Sequence, residues 1–330
     1  MIVDFVILVL GLIFILGAAE LFTNGIEAIG HKLNLSKNFT GSVLAAVGTA
    51  LPETILPIIA VIFFAKNSGE DIGVGAILGA PFMLSTLAFP LIGITALVMV
   101  FLKRRKPGLE IEEIGLRRDI VFFLFAYSVA MFIIPYENHL LRIFTAIFLI
   151  GLYILYAFLT LRGESEEVEE VDGIYLSKGK DYPLWLAGVQ VLISLVLMIG
   201  GAHLFVHGIE KVSLLLGFSP LLFSLLVAPI ATELPEKVNS VLWIVRKKDS
   251  LAVGNVSGAM VFQSTIPVSF GIVFTDWNIT GLAFVSGVFA IISSFLVLIF
   301  SYVNRKFLPV GMTAGILFFI SYIYLVISQT

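Results

Sequence analysis

Apolar runs of twenty residues and more, separated by short charged or Pro- and Gly-rich clusters, organise this chain from end to end. A spanning helix needs about 20 mostly apolar residues. Ten stretches qualify: 2–29, 39–65, 73–102, 119–135, 139–161, 183–210, 219–245, 251–274, 279–302 and 308–328. The fourth is short, and KRRKPG (103–108) and RKKD (246–249) are typical separators. Barrel strands would instead alternate polar and apolar residues over about ten positions. The pattern therefore predicts an all-α polytopic membrane protein with ten transmembrane helices.

Composition points the same way. Of 330 residues, 59% are hydrophobic and 13% charged, against about 45–50% and about 25% in a soluble globular protein. The chain has no cysteine, which excludes thiol chemistry and Cys-ligated metal. A formal net charge of −3 offers no basic surface for nucleic acid. Neither a phosphate loop nor a dinucleotide-binding glycine pattern is present, so ATP-driven pumping is not expected.

About 16 of the 20 Lys and Arg residues fall in the loops near 31–38, 103–118, 162–182, 246–250 and 303–307. In a ten-span chain these loops share one side. Basic loops face the cytoplasm, which predicts both termini outside a plasma membrane. The loop at 162–182 contains ESEEVEEVD (164–172) and reads as a solvated acidic linker, with a regulatory cation site as the alternative.

Residues 17–53 align with 200–236 at one constant offset. GAAELFTNGIE (17–27) matches GGAHLFVHGIE (200–210), and GTALPE (48–53) matches ATELPE (231–236). After a shift of four, GAILGAPFMLST (75–86) matches GNVSGAMVFQST (254–265). Each half, 1–161 and 183–330, holds five spans. An odd number makes the second half enter from the opposite face, so the expected architecture is two inverted five-helix repeats joined by the 162–182 linker. Many secondary transporters are built this way.

Two Pro–Glu pairs, Pro52–Glu53 and Pro235–Glu236, sit near the middle of the second and seventh spans. A carboxylate at that depth costs at least a few kcal/mol and is read as functional by default. Proline frees the carbonyl one turn earlier, and such carbonyls must face protein, water or an ion. A carboxylate, a hydroxyl (Thr49 or Thr232) and loose carbonyls on a broken helix form a hard-oxygen set that suits Ca²⁺. The bland alternative is two proline kinks whose glutamates are satisfied by neighbouring helices.

Through GTALPE and GNVSGAMVFQ the chain resembles the cation/calcium antiporter superfamily, which includes sodium/calcium and calcium/proton exchangers. The resemblance covers essentially the whole chain. It implies alternating access, with Glu53 and Glu236 as central ligands and Thr49 and Thr232 adding backbone carbonyls. It also implies that the first and sixth spans slide across the core. No resident cofactor is expected; inorganic cations and the bilayer are the partners. The sequence departs from the sodium/calcium exchanger pattern at several ligand positions. Ala50 and Glu233 stand where that pattern has Ser; Ala80 and Ala259 stand at hydroxyl positions. Leu84 and Gln263 occupy the last positions of the second motif, and its first Asn survives only as Asn255, opposite Ala76. With oxygens missing, three Na⁺ sites are hard to build. Ca²⁺ exchange against Na⁺ and against H⁺ both stay open, beside another divalent substrate or an uncoupled channel. A hydrolase would need a nucleophile and base, which are not visible.

Glu233 and Lys237 are spaced i, i+4 in the favourable order for a helical pair. Two readings follow: Lys237 neutralises Glu233, or Glu233, Glu236 and Lys237 titrate together in place of Na⁺. The polar residues Glu20, Asn24 and Glu27 of the first span correspond to His203, His207 and Glu210 of the sixth. They read as headgroup contacts or as the lining of access routes. The two histidines lack a third ligand for zinc. Trp185, Trp243 and Trp277 fall near span ends, where interfacial belts place tryptophan.

Overall fold

In the computed structural model, residues 2–33, 45–64, 68–133, 138–161, 173–177, 182–303 and 308–329 are described, the side chains of 45–49, 133, 161, 235 and 329 excepted. Among them the chain is all-α. The helices are α1 (Ile2–Lys32), α2 (Ala45–Phe63), α3 (Gly69–Met83), α4 (Phe89–Phe101), α5 (Glu113–Ser128), α6 (His139–Leu161) and α7 (Leu184–Leu215). They continue as α8 (Pro220–Thr232), α9 (Leu234–Val245), α10 (Asp249–Gln263), α11 (Ile266–Phe274), α12 (Gly281–Val303), α13 (Leu308–Thr313) and α14 (Gly315–Gln329). One π-helical turn, Leu84–Ala88, joins α3 to α4, and another, Val129–Ile133, follows α5.

Among the described residues seven helical stretches are long and apolar enough to cross a membrane: Ile2–Lys32, Gly69–Phe101, His139–Thr160, Leu184–Leu215, Asp249–Phe274, Gly281–Val303 and Leu308–Ser328. Three of the ten expected spans fall short of that measure for visible reasons. The part of α2 whose side chains are described, Ala50–Phe63, is shorter than a span. The first two turns of α5 carry Glu113, Arg117, Arg118 and Asp119. The seventh stretch is cut in two at Glu233.

The long helices α1 and α7 pack lengthwise against each other, and α3 crosses α8 at the centre. Around them α5 packs on α10 and α12 on α3; α6 packs on α11 and α4 on α13. The α3–α8 crossing is unusually close. Pro229 has no N–H to give, so the carbonyl of Leu225 lacks its helical donor. That oxygen lies against Gly79, where an added Cβ would come within 2.1 Å of it. Only glycine permits such an approach, a known device of helix pairs in lipid. The largest core cluster gathers Phe82, Phe89, Phe123, Tyr127, Met260 and Trp277.

Loops on the same expected side touch one another. Arg105 grips Asp249 through two bonds of 2.5 and 3.1 Å, and Arg117 reaches Ser301 at the end of α12. Tyr182 contacts Ala28 and lies under Lys32. At the opposite end Arg142 donates to the Asp276 carbonyl at 2.7 Å, and the Asp276 N–H donates to Glu70. Trp277 departs from the interfacial expectation. It is fully buried, with Nε1 donating to the Ala130 carbonyl at 3.0 Å, because its loop folds back into the bundle. Trp185 is exposed.

Candidate cation site

Glu53 sits on α2, between Pro52 and Pro57. The missing N–H of Pro57 leaves the Glu53 carbonyl without its helical donor. The helix nevertheless runs through both prolines from Ala45 to Phe63, so the broken helix expected here is a proline-interrupted but continuous one. The Glu53 side chain is 7% exposed, and both carboxylate oxygens are buried without a hydrogen-bond partner. With Ala76, Ala80, Ala228, Pro229 and Thr232 it lines a cavity of about 10 Å³. That is space for about one water or one bare ion. A buried carboxylate with no donor is costly, and a cation relieves it. Ala76 and Ala80 make one wall apolar, so the cavity's polarity comes from Glu53, Thr232 and nearby backbone.

The second half does break. α8 stops at Thr232, α9 starts at Leu234, and Glu233 is the joint, with φ −92° and ψ 2°. Thr232 lines the Glu53 cavity, its hydroxyl donating back to the Ala228 carbonyl at 3.1 Å. Glu233 is fully buried. Its Oε2 is 2.6 Å from Lys237 Nζ, and Gln263 Nε2 donates to its Oε1 at 3.3 Å. Lys237 Nζ also donates to the Pro229 carbonyl at 3.3 Å. Gln263 Oε1 and Ser240 Oγ are buried without partners. Glu236, half-buried in the first turn of α9, interacts electrostatically with Glu53, Glu233 and Lys237. Glu53 in turn feels Glu233 and Lys237.

The structure therefore gathers Glu53, Thr232, Glu233, Glu236, Lys237 and Gln263 in one neighbourhood. Asn255 is not among them by any contact. It precedes Gln263 by eight residues on α10, about 12 Å along a helix axis, and is half-buried. The Thr49 side chain lies outside the described residues, as does the acidic run 164–172. Among the described residues no three His or acidic side chains converge to hold a metal ion, so a cation here would rest on two carboxylates and neutral oxygens.

The first-span polar residues have another use. Glu20 accepts from Tyr175 at 2.9 Å, and Asn24 donates to the Gly173 carbonyl at 3.0 Å. Gln190 of α7 donates to Asn24 Oδ1 and to the Leu21 carbonyl, and accepts from the Leu176 N–H. Residues 173–177 are thus strapped across α1 and α7. The bond to Glu20 holds the Tyr175 hydroxyl above the usual phenol range. His203 packs against the rings of Phe63 and Phe64. The sequence reading overlooked Gln190. Its signal was an amide inside an apolar run, but its counterpart in the first repeat, at the same offset of 183, is Ile7, so the repeat did not flag it.

The sequence matches the family profile described as "Sodium/calcium exchanger protein" over residues 3–162 and 186–330. It is 26% identical over 327 residues to the uncharacterized membrane protein MJ0091 of Methanocaldococcus jannaschii, covering 97% of this chain and 95% of that one. Its fold resembles the crystal structure of the H⁺/Ca²⁺ exchanger CAX, with TM-score 0.66 and 18% identity over 98% of this chain and 89% of the other. It also resembles the sodium-calcium exchanger NCX_Mj, with TM-score 0.58 and 24% identity over 99% and 98% of the two chains. At these identities the likeness to the solved structures is one of fold.

Proposed function

The chain belongs to the sodium/calcium exchanger family, and from that premise we propose that it exchanges Ca²⁺ for Na⁺ or H⁺ by alternating access, at a site between Glu53 and Glu236. It is a multi-pass membrane transporter of the exchanger class, not an enzyme. The observation that carries the site is the Glu53 carboxylate, buried and without a donor on an ion-sized cavity. Thr232 faces the same cavity, and Glu236 supplies the second interacting charge. Thr49 belongs to the proposed ligand set by its place one helical turn before Glu53. Glu233 and Gln263 border the site, and Asn255 would contribute only if α10 moved.

The proposed architecture is ten spans in two inverted repeats, 1–161 and 183–330, joined by the linker 162–182. The paired packing supports it. The contact of α5 with α10 recurs with the halves exchanged as α12 with α3, and that of α6 with α11 as α13 with α4. The two sets of touching loops support the grouping of loops by side, and the excess of Lys and Arg in the first set is the ground for proposing both termini extracellular in a plasma membrane. Glu53→Gln and Glu236→Gln should each abolish Ca²⁺ flux in proteoliposomes while the protein stays monodisperse; wild-type rates in both would end the proposal. Ca²⁺-loaded vesicles given Na⁺, H⁺ or K⁺ gradients one at a time would identify the counter-ion.

A further inference from the structure

Lys237 is an odd neighbour for a cation site. Its side chain is 7% exposed, and its ammonium sits between Glu233 Oε2 at 2.6 Å and the Pro229 carbonyl at 3.3 Å. That carbonyl belongs to a residue lining the Glu53 cavity. A carboxylate oxygen and a backbone carbonyl at a helix break are what a transported monovalent cation would use. Here a side chain of the protein already fills the place. The far oxygen of Glu233 is occupied too, by Gln263 Nε2.

We propose that the Lys237 ammonium is a resident cation of the transport site, held permanently where a mobile monovalent ion would otherwise bind, so that Glu233 is withheld from the cargo. The proposal rests on the Glu53/Glu236 reading of the site. The formal charges agree with it. Glu233 and Lys237 cancel, and Glu53 and Glu236 leave two negative charges, the complement of one divalent cation or two monovalent ones. Lys237 interacts electrostatically with both remaining carboxylates, so its removal is felt by the cargo. The pair is therefore a specificity device. It caps the number of monovalent ions that can accompany the cycle and weakens the hold on a divalent ion.

The inference predicts a sign pattern in Ca²⁺ binding, measured by titration calorimetry on detergent-purified, monodisperse protein in choline medium. Lys237→Met frees Glu233 and should tighten Ca²⁺ binding at least about tenfold, as expected for one added charge at an effective dielectric near 20. Na⁺ or K⁺ should erase that gain by filling the new site. Glu233→Gln leaves the ammonium uncancelled and should weaken binding by a similar factor. The double variant Glu233→Gln/Lys237→Met should return to within about threefold of wild type, because the charges cancel again. Single variants with wild-type affinity would overturn the inference, as would all three variants shifting in one direction, which is the signature of packing damage. If Lys237→Met does not fold, the fall in Glu233→Gln and its recovery in the double variant decide alone. Glu53→Gln is the separate control: if it binds Ca²⁺ like wild type, the cargo-site reading fails rather than the role of Lys237.

Discussion

Replacing Gly79 by Ala asks whether the cation cavity depends on how closely two helices approach. The new Cβ would lie 2.1 Å from the Leu225 carbonyl oxygen and 2.8 Å from Pro229 Cγ. The nearest obstacle is backbone, so no rotamer change relieves it. Bringing 2.1 Å to an ordinary contact of 3.4 Å requires α3 and α8 to part by about 1.3 Å. Those helices carry Ala76, Ala80, Ala228 and Pro229, which line the cavity around Glu53. Overpacking of this kind costs about 1–3 kcal/mol, offset in part by the roughly 1 kcal/mol by which Ala is the better helix former. Thermal unfolding in detergent should therefore move down by a few degrees at most. Binding should suffer more. Ca²⁺ holds its oxygens at about 2.3–2.6 Å, so a displacement above 1 Å takes a ligand out of reach. Losing one such contact is worth at least about tenfold in affinity, roughly 1.4 kcal/mol. Gly151→Ala, on the exposed face of α6 with no described atom within 4 Å of the new Cβ, should leave both quantities unchanged. Calorimetry that finds wild-type Ca²⁺ affinity in a folded Gly79→Ala protein would refute the idea that this crossing shapes the site.

Asp249→Asn should lower stability by about 3–5 kcal/mol, because it strands the buried Arg105 guanidinium that now makes a two-bond pair with Asp249, side chains 6% and 1% exposed. Arg105→Lys should rescue little, since an ammonium cannot reproduce the planar fork; an unfolding midpoint equal to wild type in either variant would count against the latch. Gln190→Leu removes three of the bonds that tether residues 173–177 and their supports on α1. Limited proteolysis should then cut faster within 162–182, and an unchanged rate would show that the strap is held by other contacts.

Much of the fold was legible because a bilayer demands length. Among the described residues, seven of the ten expected spans coincide with apolar helical stretches of 21 to 33 residues, some of them interrupted by a turn. The glutamates were legible for a related reason: a charge in an apolar run is too costly to be incidental. What proline does was only half legible. Pro235 and Pro52 present the same local signal, yet α9 starts afresh beside Pro235 while α2 runs on through Pro52. Whether a proline kinks or breaks a membrane helix depends on which neighbours take up the freed carbonyls, and these lie far away in sequence. The Asp119–Ser257 bond of 2.6 Å and the Arg105–Asp249 pair were invisible for the same reason. Each joins residues more than a hundred positions apart. Glu233 and Lys237 could be paired from sequence because both partners lie on one turn of helix.

The charge arithmetic of the proposed site also bears on coupling. A buried site can cross a low-dielectric barrier only when its charges are nearly cancelled. Without Lys237 the three glutamates would present three formal charges; with it they present two. One Ca²⁺ cancels these, and so do two Na⁺ or two H⁺, which makes both loaded forms neutral and the unloaded form strongly charged. Few groups in the cavity wall can solvate a bare pair of carboxylates, since Ala76, Ala80 and Ala228 carry no polar side-chain atoms and the Thr232 hydroxyl proton is engaged by Ala228. The same shortage of donors that leaves Glu53 unpaired therefore opposes the return of the empty site. On this account the alanines that replace expected oxygens enforce exchange over leak. Restoring a hydroxyl at position 80 should then make the empty site easier to reorient and loosen the coupling of Ca²⁺ flux to its counter-ion.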